Sequence, residues 1–138
     1  MKKPSGLTSI TLNKQRPNAK QEEKTVSNKI MKNIDLAEPL SLGALVVYQQ
    51  GQIVSRTLVQ NRAVSLTLFA FDTGEEISSH ESKGDAMVQV LDGKAKITIG
   101  DGVHFLSAGE TVVMPAGVPH ALEAVEPFKM LLTVVFPG

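Results

Sequence analysis

From residue 45 onward, apolar and polar side chains alternate in short runs, and most runs end at glycine, proline or aspartate. Over residues 64–71, Val64, Leu66, Leu68 and Ala70 share one face while Ser65, Thr67, Phe69 and Phe71 share the other, the period of two that belongs to a β-strand. Residues 94–99 repeat the pattern, with Ala95, Ile97 and Ile99 inward and Lys94, Lys96 and Thr98 outward. Asp92-Gly93 before this run and Gly100-Asp101-Gly102 after it are turn signals. The same reasoning predicts strands over 45–48, 53–59, 86–91, 103–106, 111–114, 118–125 and 128–136. No stretch has the period of an amphipathic helix. Short strands at regular intervals therefore predict an all-β sandwich or barrel.

Length and composition narrow this picture. A chain of 138 residues suffices for one domain with a real core, and with no tryptophan that core must rest on Val, Leu and Ile. Cysteine is absent, which removes both a disulfide framework and a thiol nucleophile. No apolar run approaches the roughly 20 residues needed to span a bilayer, and the first residues lack the apolar core of a secretory signal, so a soluble cytoplasmic protein is expected.

The formal charge of zero conceals an asymmetry. Residues 1–32 hold eight Lys or Arg against Glu22 and Glu23, a net of +6, and the remainder carries −6. The first segment is rich in Lys, Asn, Gln, Ser and Thr and poor in large apolar residues, which cannot offset the entropy of ordering it. Residues 1–33 are thus expected as an irregular basic N-terminal arm, disordered or docked on a partner, and 34–138 as the folded domain. Without aromatic residues for stacking or a dense Arg cluster, the arm does not predict a nucleic-acid or membrane partner.

Two stretches carry the candidate chemistry. The first, GEEISSHESKGDAMVQVLDG, runs over residues 74–93 around His80, and the second, GETVVMPAGVPHALEA, runs over 109–124 and includes His120. They resemble the paired motifs of the cupin superfamily. Gly74, His80 and Gly93 match G-x5-H-x-H-x3,4-E-x6-G, and Gly109, Pro115, Gly117 and His120 match G-x5-P-x-G-x2-H-x3-N. The resemblance covers residues 40–138 and implies the cupin double-stranded β-helix, a jelly-roll barrel of the small single-domain type. It also implies a homodimer, paired through sheet faces or exchanged N-terminal strands. Metal-bearing cupins hold a divalent ion with three His and one Glu. Here Ser82 stands at the second His position, Ala86 at the Glu position and Ala124 at the final Asn. His80 and His120 are the remaining metal positions, for Zn, Ni, Mn or Fe.

A barrel of this size turns alternate side chains inward, where they pack or surround a ligand. The pocket is expected to be lined by His80, Ser82, Ala86, Val88, Met114, His120, Phe69, Phe71 and Met130, with Leu132 beside them. Alternation places Val88 and Val90 with Ala86, and Met87 and Gln89 opposite. It sends Glu81 away from His80, while Asp85 belongs to a turn after Gly84 and His104 to an exposed hairpin strand. Alanine in place of glutamate at position 86 enlarges and neutralises the cavity, which suits a small, largely apolar ligand with one polar or anionic group. No P-loop, dinucleotide fingerprint or nucleophile elbow is present, and Ser79 adjoins His80 on the opposite face. Three readings follow. One is a small-molecule-binding cupin of unassigned activity with a weak divalent site. The others are a metal-dependent cupin enzyme of dioxygenase or isomerase type, and a dimeric binding or regulatory module without chemistry.

Overall fold

The computed structural model describes residues 30–138. The expectations for the arm before residue 30 lie outside the described residues. Residues 30–39 contain neither helix nor strand, and Asn33 and Ala37 adopt positive φ of 61° and 62°. Leu40–Gly138 forms a compact unit of nine strands.

The strands are β1 (Ile53–Gln60), β2 (Val64–Phe71), β3 (Glu76–His80), β4 (Asp85–Asp92), β5 (Lys94–Ile99), β6 (Gly102–Ser107), β7 (Thr111–Met114), β8 (His120–Ala124) and β9 (Phe128–Val135). They build a five-stranded sheet, β1-β2-β9-β4-β7, and a four-stranded sheet, β3-β8-β5-β6, antiparallel throughout. The all-β jelly-roll expectation is met. Alternation fixes which residues meet between the sheets: Ala86, Val88 and Val90 of β4 lie beside Val134, Leu132 and Met130 of β9, and all face Ala95, Ile97, Leu122 and Ala124 of the smaller sheet. Phe71 and Phe128 close one end of this core. Both are fully buried, and their rings stack at 4.4 Å between centroids with 20° between planes.

One predicted strand is corrected. Residues 45–48 do not pair in a sheet. A single 3-10 turn, Leu42–Leu45, precedes an irregular run instead. The backbone finds other partners there: Gly43 O accepts Lys129 Nζ at 2.6 Å, and Leu45 O accepts Arg56 Nη1 at 2.8 Å. Val46 is buried and Val47 exposed, so alternation survives without a ladder. The Tyr48 hydroxyl donates to Asp92, and the Lys129 ammonium lies 5.0 Å from the centre of the Tyr48 ring. Burial and the Asp92 carboxylate together push the Tyr48 phenol well above its usual pKa. This segment packs against β2 and β4, on the side of the larger sheet where Leu68 and Ala70 are shut off from solvent.

Gly93, with φ of +78°, turns β4 into β5 against the β8–β9 connection. A Cβ there would come within 1.8 Å of Pro127 O, so the close approach of the two turns requires glycine.

Candidate functional site

The end of the barrel remote from the phenylalanine stack is built differently. Ile77 of β3 lies opposite Leu122 of β8, and His80 lies opposite His120. Three steps along β3 therefore match two along β8, and a register shift at Ser78-Ser79 absorbs the surplus residue. Without that bulge, strict alternation would turn His80 away from the face that Ile77 occupies. With it, both imidazoles face one space.

Their rings are 4.4 Å apart between centroids and inclined at 69°. His120 is almost wholly buried, at 2 % exposure, while His80 is exposed. Each ring is fixed by the carbonyl two residues before it: His80 Nδ1 lies 3.0 Å from Ser78 O, and His120 Nδ1 lies 3.1 Å from Val118 O. A carbonyl only accepts, so both Nδ1 atoms carry the proton. Burial lowers the pKa of His120; the Val118 carbonyl opposes that shift, and the neighbouring His80 adds to it.

The turn before β8 sets this geometry. Ala116 N donates to Asp85 Oδ1 at 2.9 Å and Gly117 N to Ser82 O at 2.9 Å, which ties the Pro115-Ala116-Gly117 turn to the β3–β4 connection. Gly117 takes φ of +75°. Both histidine-bearing segments are thus held by the same clasp, and the Asp85 carboxylate is engaged in it.

The space between the histidines and the core is a cavity of about 230 Å³. His80, Ser82, Ala86, Met114, His120 and Met130 all line it, as does Leu132. Val88, Phe69 and Phe71 do not: Val88 and Phe71 are fully buried in the packed core, and Phe69 is packed against it. Four further residues line the cavity. Leu122 and Val134 follow from alternation, counted from His120 and Met130. Ile77 comes into place only through the bulge. Glu81, expected to point away from His80, lines the cavity because β3 ends at His80 and alternation no longer governs the next residue. His104 lies opposite Ile97 on the edge strand β6, exposed and outside the cavity.

The donors do not fit a catalytic metal centre of the usual kind. Two imidazole nitrogens fall short of three protein ligands, and Ser82 and Ala86 stand where the superfamily has a histidine and a glutamate. Among the described residues, no group of three or more His, Cys, Asp or Glu side chains is placed to hold an ion.

Two facing antiparallel sheets with paired histidines at one end define a double-stranded β-helix barrel. The chain belongs to the cupin family, and the family's cupin-domain model matches residues 67–136. A conserved protein of unknown function from Streptococcus pyogenes is similar in structure, with a TM-score of 0.78 and 49% identity, over 80% of this chain and 96% of that one. A cupin superfamily protein from Desulfitobacterium hafniense superposes with a TM-score of 0.74 at 33% identity, over 78% of this chain and 98% of that one. An uncharacterized protein from Streptomyces coelicolor is 30% identical over 79 residues, 57% of this chain and 75% of its own. Among the described residues, no helix is long and apolar enough to cross a membrane.

Proposed function

We propose that this cupin binds a small, predominantly apolar organic molecule inside its barrel, with the ligand's polar end at His80 and His120. The observation that carries the reading is the cavity itself: about 230 Å³, walled by Ile77, Ala86, Met114, Leu122, Met130 and Leu132, with the histidine pair at one side. Its size limits the ligand. An apolar cavity of about 150 Å³ admits benzene, so this one takes a single ring with a short substituent, or an aliphatic chain of similar bulk. It lies below the roughly 300–1,000 Å³ of sites for drug-sized ligands. Methionines on two walls allow the lining to adjust to an irregular shape.

The test uses toluene as an apolar probe and methionine methyl signals as reporters. Met114 and Met130 line the cavity, whereas Met87 faces the other side of β4. Saturable shifts at Met114 and Met130, with Met87 unmoved, are expected. Equal response at all three, or none, would overturn the reading.

A further inference from the structure

We infer that the ligand's polar group is a hydrogen-bond donor, an alcohol or phenol hydroxyl, received by the Nε2 atoms of His120 and His80; the inference rests on the cavity being a ligand site. Both Nδ1 protons are committed to the backbone, at Ser78 O and Val118 O. In a neutral imidazole the other nitrogen then offers only a lone pair. With both rings in that neutral form, the site presents two acceptors and no donor from its histidines.

The second observation is an unmet need. Among the described residues no protein group is hydrogen-bonded to Nε2 of either ring, although His120 is 2 % exposed and lines the cavity. Buried polar atoms ordinarily find partners, and an orphaned acceptor beside an apolar space marks where a ligand's donor belongs. The other polar groups on the wall are bonded to neither ring: Ser82 Oγ accepts from Gly84 N at 3.1 Å while its own O–H donates to neither imidazole, and the Glu81 carboxylate is itself an acceptor when ionised. Glu81 also disfavours an anionic ligand, since two negative charges would share a small, apolar-walled space. This sharpens the sequence-based expectation of a polar or anionic group toward a neutral donor.

The experiment compares isomers of one formula, 2-phenylethanol and benzyl methyl ether, with benzoate as the anion, read through the Met114 and Met130 methyl signals of the whole chain. The alcohol is expected to bind about five- to tenfold more tightly than the ether, the worth of one hydrogen bond, with benzoate weakest. The variant His120→Phe removes the buried acceptor and should abolish the preference for the alcohol while toluene still binds. Should that variant fold poorly, His80→Phe, at an exposed position, should reduce the preference. An ether that binds as well as the alcohol, a benzoate that binds best, or a preference unchanged in the folded variants overturns the inference and leaves the cavity reading intact if toluene binds. If toluene also leaves Met114 and Met130 unmoved, the cavity reading falls and this inference with it.

Discussion

Two ring pairs, each 4.4 Å between centroids, mark the two ends of the inner face of β9. At the Phe128 end, phenyl rings stack nearly parallel with no exposure, and Gly93 brings the adjoining turns into close contact. Toward Val134, imidazoles meet edge to face, one exposed and one buried, beside a space that side chains leave open. Equal separation thus conceals opposite roles. The phenyl pair spends its whole surface on packing, and the imidazole pair keeps a polar edge free.

The strongest way to break the comparison is at the packed end. Phe128→Ala should destabilise the fold by about 3 to 5 kcal/mol in urea unfolding, because a fully buried phenyl leaves a cavity its neighbours cannot fill. A loss below about 1 kcal/mol would show that this end is no more closely packed than the other. The next largest effect should come from Ala86→Leu, which adds three carbons to the cavity wall. Toluene affinity is expected to drop at least about tenfold while unfolding free energy changes by less than about 1.5 kcal/mol, since the new atoms enter space that is already there. Unaltered toluene affinity would mean that the open end is not where the probe sits.

Acidity sharpens the contrast further. Burial lowers the pKa of His120 in the folded chain, whereas once unfolded it titrates near its ordinary value of 6.5. Below that pH the unfolded chain binds more protons, so stability is full above about pH 6.5 and declines as pH falls from there. Urea midpoints compared at pH 7.5 and pH 5 should show this decline, with a smaller slope in His120→Phe. The smallest effect belongs to the surface: Lys96 and Glu123, 3.9 Å apart and partly exposed, should contribute at most about 1 kcal/mol, measured with Lys96→Ala.

How much of this was legible in the sequence depended on how regular each stretch is. The faces of β2, β4 and β5 follow directly from alternation, as do the placements of Met87 and Gln89 away from the core. Four apolar residues at 45–48 gave the same signal for a different outcome, because propensity cannot reveal that Arg56 and Lys129 would take the neighbouring carbonyls. At the site, the motif spacing carried the histidine pair, and alternation carried Ala86 and Met130. Val88 and Phe71 share the faces of cavity-lining residues but sit deeper, and a period of two encodes face, not depth. Glu81 and Ile77 depended on where β3 bulges and stops, which two serines and a charged run leave unspecified.

The surplus residue in β3 makes the chain's tolerance of length changes lopsided. Removing Ser79 would let Ile77, Ser78 and His80 run in step with Leu122, Ala121 and His120, so the imidazole would keep its face on a straighter strand while losing its bond to Ser78 O. Adding one residue at the same point would leave a strand with no further slack, and His80 would rotate toward bulk water while Ile77 stayed behind. Shortening here keeps the face of His80 and lengthening does not, so the polar mouth of this barrel can be lost by counting alone, without changing a single side chain that lines the cavity.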